Sequence, residues 1–373
     1  MVEWKKLGDI ANLIRGKVIS KDYIRDNEGD YPVYSSQTAN NGIFGCIDSY
    51  MFDGDYLTWT TDGAYAGTVF RRKGKFNITN VCGLIDITSQ NVNQDFLYYW
   101  LSLTAKEYVL EGMGNPKLMS NVASTIRIPI PSLSEQTRIV GILDTFTASI
   151  ENLKGQITQR RKQYEHYRDQ LLDLEGKSEQ DIHCWGEFCE MEKGNGVQKA
   201  DFVDEGIGCI HYGQIYTHYG SYAYETNKFV SEETFAKAKK ASKGDIILTD
   251  TSENVEDICK SVAWLGDDDI AVSNHALIIK HNQNPKFLSY STQTNSFFLQ
   301  KRRVVVGVKV SGIKPDDLAK IKIFLPPLQE QKRIVSILDT FEASIQNLGA
   351  QLKEREKQYE YYRNKLLTFE KAE

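Results

Sequence analysis

The sequence predicts an α+β protein. Two mixed α/β domains are separated by two long, antiparallel coiled-coil helices, and the halves are related by an internal pseudo-twofold repeat. Three observations lead to this reading. Ile130–Glu175 recurs at Leu325–Glu370 with a constant offset of 195 positions and 28 identities in 46 aligned residues, far above the handful that chance would leave. Within each copy the apolar positions follow alternating steps of four and three, the mark of a heptad seam. The stretch ahead of each copy is instead rich in glycine, aromatics and short β-like runs.

In order along the chain, the predicted segments are 1–130, 131–175, 176–325 and 326–373. The first carries strand-like runs at Asp55–Thr60 and Gly67–Arg71, bounded by turn residues. The second opens on Pro131-Ser132-Leu133-Ser134-Glu135, a proline followed by a Ser-x-x-Glu capping signal. Its seam runs Ile139, Leu143, Phe146, Ile150, Leu153, Ile157, Arg160, Tyr164, Tyr167, Leu171 and Leu174. This predicts a helix of about 40 residues, roughly 60 Å long. The third segment has a strand-like run at Asp245–Thr249. The fourth repeats the seam from Ile334 to Phe369, so the two helices are expected to pair with each other. An intermolecular coiled coil is the competing arrangement. Arg160 and Arg355 fall on the same seam position, where they either fix register or turn out to solvent.

The two globular segments resemble each other only distantly. Leu7-Gly8-Asp9 with Arg15-Gly16 matches Trp185-Gly186-Glu187 with Lys193-Gly194, and Gly54-Asp55 matches Gly244-Asp245. Closely shared helices and loosely shared domains imply two equal docking sites and two unequal reading heads.

Composition narrows the function classes. The net charge is −5, and none of the four segments is a polycation, so binding to nucleic acid by bulk charge is disfavoured. The six cysteines form no CxxC pair, and no apolar leader opens the chain at Met1–Ile14, which predicts a cytoplasmic protein with reduced thiols. No run approaches the roughly 20 apolar residues of a membrane span.

Over essentially its whole length the chain resembles the specificity subunit of type I restriction–modification systems. The residues that carry the resemblance are Pro131-x-Leu133-x-Glu135-Gln136-x-x-Ile139 and its copy Pro326-Pro327-Leu328-x-Glu330-Gln331-x-x-Ile334. Thr60–Phe70 through Gly74–Asn77 is similar to one target-recognition pattern, and Gly244–Asn254 through Asp257–Lys260 to another. The resemblance implies two target-recognition domains, each reading one half of an asymmetric, interrupted site in double-stranded DNA. It implies two methyltransferase subunits that methylate adenine at N6 and motor–nuclease restriction subunits added to that core. The expected setting is bacterial or archaeal cytoplasm, with no membrane partner.

Catalytic signatures are missing from the sequence. There is no GxGxxG fingerprint, no GxxxxGK[ST], and the single Pro-Pro pair opens a helix. No cofactor is expected in this chain; S-adenosylmethionine, ATP and Mg are expected in partner subunits. A nuclease-like set of Asp245, Glu253, Asp257 and Lys260 reads more simply as solvated loop residues. His183-Cys184 with Cys189 lacks the second pair of a zinc site, and no metal is expected. A structural adaptor whose globular ends bind proteins or glycans is the alternative from another class.

For DNA reading the useful side chains present hydrogen bonds to base edges and phosphates. In the first domain the candidates are Gln37, Thr60, Thr61, Tyr65, Arg71, Arg72, Lys73 and Lys75, with Arg71–Lys75 read as a basic hairpin tip. In the second they are Tyr212, Gln214, Thr249, Thr251, Ser252, Asn254, Lys260, Lys301, Arg302 and Arg303. The last three have a competing role as a helix C-terminal cap. For partner docking the candidates are Gln136, Arg138, Gln163 and Arg168 and their copies Gln331, Arg333, Gln358 and Arg363. They lie off the seam yet are identical in both copies, as expected for outer faces that meet the same partner twice.

Overall fold

The computed structural model describes residues 2–111, 114–307 and 311–370. They divide into two compact units, Met1–Leu153 with Gln351–Glu373, and Lys154–Ala350. The two long helices, Leu133–Leu172 and Leu328–Leu366, each contribute one half to either unit.

In the first unit β1 (Glu3–Lys6) pairs antiparallel with β8 (Arg127–Ile130), which leads into the central helix. Between them lie β2 (Ala11–Arg15), β3 (Glu28–Tyr34), β4 (Ile43–Ile47), β5 (Phe52–Thr60), β6 (Val69–Ile78) and β7 (Cys82–Ile87). They form one sheet in the order β2-β7-β5-β6-β3-β4, antiparallel except for β3 with β6. The ten-residue β6 pairs with β5 along most of its length and with β3 at Asn77 and Ile78. Its end then meets the end of β2, where Lys17 N donates to Ile78 O at 3.3 Å, so the sheet curls back on itself. The contact requires glycine at position 16, because a Cβ there would lie 2.1 Å from Ile78 O.

The second unit repeats this plan with one change. Strand Ile182–Cys184 pairs with Lys322–Phe324 as β1 does with β8. Trp185 N donates to Ile321 O as Leu7 N does to Ile126 O, and Gly186 N to Ala319 O as Gly8 N does to Ser124 O. Strands Cys189–Lys193, Ala276–His281, Ile246–Thr249 and Ser261–Trp264 repeat the order β2-β7-β5-β6. The counterpart of β6 is broken by a turn at 265–269, pinned by Trp264 Nε1 donating to Asp268 O at 2.8 Å. The far piece, Ile270–Val272, joins a second five-stranded sheet, where it pairs in parallel with Ile207–Ile210. Gly194 answers Gly16, since its Cβ would stand 2.4 Å from Ser273 O.

Each half-helix serves two purposes. In the first unit Ile139, Val140 and Leu143 enter the core with Trp59, Phe96 and Ile128, and Leu366, Leu367 and Phe369 join the same cluster. Phe146 stacks on Tyr362 at 5.3 Å, and the Arg355 guanidinium lies 5.6 Å over Phe146. In the second unit Phe341 stacks on Tyr167 at 5.4 Å with Arg160 5.8 Å over it, while Ile334 and Leu338 share a core with Leu171 and Leu172. Early residues of one helix thus face late residues of the other, which is antiparallel packing. The seam arginines lie over aromatic rings, a favourable use of a cation that keeps the layer closed.

His281 ends its strand with Nδ1 accepting from Gln283 N at 3.1 Å and Nε2 buried without a partner. Burial pushes its pKa down to about 4. An unfolded imidazole titrates near 6.5, so between these values the unfolded chain binds more protons and stability falls with falling pH. The second unit is expected to lose about 3 kcal/mol from pH ~7 to below pH ~4 through this group. Denaturant titrations across that range on the wild type and His281→Gln check it, the variant losing that share of the slope.

Candidate nucleic-acid interface

In the first unit four loops meet at one end of the curled sheet. Thr61 N donates to Val81 O at 3.1 Å, Leu118 N to Thr61 O at 2.9 Å, and Gly63 N to Pro116 O at 3.0 Å. Arg15 donates through Nε to Asn80 O at 3.1 Å. The turn after β5 bends at Gly63 and Gly67, both with positive φ. Thr60 Oγ1 and Thr68 Oγ1 both donate to Tyr65 O. Thr60 and Thr61 are therefore buried props of the turn, whereas the Tyr65 ring, 57% exposed, is what the turn presents. Gln37 sits half-buried at this end, bonded to Ile43 O.

Arg71–Lys75 is no hairpin tip. These residues lie in mid-strand, paired with Asp53–Leu57, because β6 extends well past the predicted Gly67–Arg71 run. The strand alternation sends them to different environments. Arg71 pairs with Asp95 at 2.7 Å and Asp144 at 3.1 Å and lies 4.3 Å over Tyr98. Burial works against its charge, yet Asp95, Tyr99 and Asp144 outweigh it and hold the pKa up. Arg72 is buried, donating to Thr58 Oγ1 and Asn41 O, with its guanidinium 3.6 Å over Tyr34, and burial lowers its pKa. Arg72 is thus a buried structural residue rather than an exposed base-reading one, and Arg71 is engaged by two carboxylates. Lys73 and Lys75 remain exposed on the same strand face as Arg71, Lys75 over the Tyr50 ring at 4.5 Å. Sequence reasoning passed over Arg15, Lys17 and Lys117 at the loop end; the signal for the first two was the Arg15-Gly16 match to Lys193-Gly194.

The second unit builds the same loop end on the same backbone bonds. Asp250 N donates to His275 O and Ile313 N to Asp250 O, where the first unit has Thr61 with Val81 and Leu118 with Thr61. Ser273 N donates to Ile210 O as Thr79 N does to Tyr34 O. Tyr212 is half-buried here, its ring 5.3 Å from His275. Gln214 caps its own helix by accepting from His211 N at 2.9 Å, and bonds Asn227. Thr249 is fully buried; Thr251 and Ser252 pair with Gly312 and Ser311. Asn254 is exposed and donates to Asp257 Oδ2, while Lys260 reaches Tyr216 O at 3.1 Å. Lys301 is a correction: only 5% exposed, it donates to Glu256 O and Ile258 O, and burial lowers its pKa. Arg302 and Arg303 are exposed in the last turn of helix Asn295–Val304, where cations suit the helix dipole.

The helix candidates also separate. Gln136 is fully buried, accepting from Asn93 N and donating to Asn91 O and Pro131 O, each at 2.8 Å. Gln331 does the same with Asn284 N, Gln283 Oε1 and Pro326 O. Neither lies on an outer face, and internal bonding is sufficient to keep them identical. Arg138 and Arg333 are exposed and clip Glu135 and Glu330 through two bonds each. Arg168 is nearly covered, 5.8 Å over Tyr164 and paired with Asp169; Arg363 is half-buried, 5.7 Å over Tyr359. Gln163 and Gln358 are half-buried. An overlooked pair is Asp144 and Asp339, which accept from Tyr99 OH at 2.6 Å and Tyr290 OH at 2.7 Å. Asp245 caps a turn at Ser242 N, and among the described residues no three His, Cys, Asp or Glu gather where a metal could be held.

The repeated scaffold has a counterpart among known proteins. The model of the type I restriction modification DNA specificity domain matches residues 1–160 and 179–356, one copy on each half. The chain belongs to that family. A type I specificity subunit assigned in Mycoplasma pneumoniae is 29% identical over 377 residues, covering 97% of this chain and 96% of the relative. The specificity subunit of the Mycoplasma pneumoniae restriction enzyme MpnII is 38% identical over 169 residues, 44% of this chain and 51% of that one. The crystal structure of a type I restriction–modification S subunit from Mycoplasma genitalium shares the fold at TM-score 0.63 and 16% identity, covering 100% of this chain and 97% of that one. This is a type I specificity subunit by family, and no helix among its described residues is long and apolar enough to cross a membrane.

Proposed function

We propose that the chain is a non-catalytic recognition subunit whose two loop ends each read one half of an asymmetric, interrupted DNA site. The observation that carries this reading is the loop end itself: one set of backbone bonds recurs in both units with different side chains upon it. Tyr65, Asn80 and Lys117 stand on one, Lys193, Tyr212 and His275 on the other. Such an arrangement suits two different sequences read in the same manner. The long helices set the gap between half-sites and dock two adenine-N6 methyltransferase subunits, with Arg138 and Arg333 on the docking faces. Catalysis, with S-adenosylmethionine, ATP and Mg, resides in those partners and in the restriction subunits, in the cytoplasm.

Co-expression with the methyltransferase, followed by mapping of N6-methyladenine across the host DNA, tests this. One interrupted motif with two unlike halves is expected. A stable, active complex that methylates no such motif would move the reading to a structural adaptor.

A further inference from the structure

We propose that Lys193, held by the buried Asp250 carboxylate, and His275, which stands beside the unpartnered oxygen of that carboxylate, clamp one DNA backbone phosphate, and that His275 takes up a proton as the clamp closes. The proposal rests on the DNA-recognition reading and names a contact within it.

Asp250 is 3% exposed. Its Oδ2 holds Lys193 Nζ at 3.0 Å. Its Oδ1 is buried with no hydrogen-bond partner, and His275 Nδ1 stands 3.9 Å away, beyond bonding distance. A buried carboxylate oxygen without a donor is costly, which marks an incomplete site. A second irregularity sits beside it. His275 has φ 65°, a left-handed backbone that a non-glycine residue seldom adopts and that gathers at functional positions. Half of its side chain is nevertheless exposed, as is that of Lys193.

Charge accounts for the chemistry of the missing component. The groups around His275 are Asp250 beneath it, Lys193 on the neighbouring strand, and Tyr212 with His211 behind. Burial lowers the pKa of His211, and Lys199 and His275 lower it further, so His211 takes up a proton less readily than a free imidazole. A neutral imidazole donates from one nitrogen, an imidazolium from both. When a phosphate monoanion approaches the exposed side, a proton taken from solvent lets His275 donate Nδ1–H to Asp250 Oδ1 and Nε2–H to a phosphate oxygen. Lys193 supplies the other contact. Two cations then meet two anions, and the orphaned oxygen is satisfied. In the first unit Thr61 and Val81 occupy the places of Asp250 and His275, so the clamp belongs to the second unit alone.

The test is binding of the full chain to a mixed-sequence duplex at low salt, at about pH 6 and about pH 8. Affinity is expected to fall on the order of fivefold across that range, because a contact that requires an added proton is lost as pH rises. His275→Gln is expected to abolish this dependence. Lys193→Gln is expected to reduce the slope of log K against log salt by about one. His275→Gly, which relieves the left-handed backbone, is expected to melt no lower than the wild type while losing the same pH dependence, so loss of the clamp is separated from loss of the fold. Wild-type pH dependence in His275→Gln, or an unchanged salt slope in Lys193→Gln, overturns the clamp. A wild type that binds no duplex even at low salt overturns the DNA reading itself.

Discussion

Gln136→Leu is expected to destabilise the first unit by about 3 kcal/mol, and Gln331→Leu the second by a similar amount. Each glutamine is fully buried and makes three hydrogen bonds at the root of its helix. Leucine of similar volume leaves Asn93 N–H or Asn284 N–H buried without an acceptor, along with acceptors that lose their donor. Each such group costs about 1–3 kcal/mol, offset only in part by the added apolar surface. The damage spreads because Asn93 and Asn284 are themselves helix caps, bonded to Phe96 N and Phe287 N. The helices they start bring Tyr99 and Tyr290 to Asp144 and Asp339. Denaturant unfolding of the full chain measures the effect. A loss under about 1 kcal/mol, together with failure to bind the methyltransferase, would return the glutamines to a docking role.

The same residues show why part of the site was legible in the sequence and part was not. Heptad steps are a local signal, and the repeat doubled it, so both helices and the Ser132 cap were readable; Glu135 N donates to Ser132 Oγ at 3.3 Å. Identity between the copies, however, records any constraint common to both halves. It does not distinguish a shared partner from a shared internal bond, and Gln136 belongs to the second kind. Strand length was the other obstacle. Ending the strand at Arg71 made Arg71–Lys75 look like a turn, whereas β6 runs to Ile78 and buries Arg72 under Tyr34. Asp250 and His275 are 25 positions apart, and it is the antiparallel pairing of Ile246–Thr249 with the strand that follows His275 that brings them together. Their signal was confined to homology with Thr61 and Val81, which differ from them in every chemical respect.

Inserting one heptad at matched points of both helices is expected to lengthen the gap in the recognised DNA motif by about three base pairs and leave both half-sites unchanged. The helices pass from one unit to the other at Leu153–Lys154 and Ala350–Gln351, so residues added there lengthen both connections together. Seven residues add about 10.5 Å and keep the seam in phase to within about 20°. Three base pairs add nearly the same length, but they also turn the second half-site about 100° around the duplex. Twisting or bending the DNA to bring it back costs energy, so the variant should methylate its longer motif less efficiently than the parent methylates its own. An insertion of two residues advances the helices by about 200° instead and directs the seam to solvent, so it should abolish modification. Methylation mapping in cells that carry each variant with the methyltransferase gives the answer. A motif with altered bases at the original spacing would show that the helices do not set the gap, and that the loop ends alone determine what is read and where.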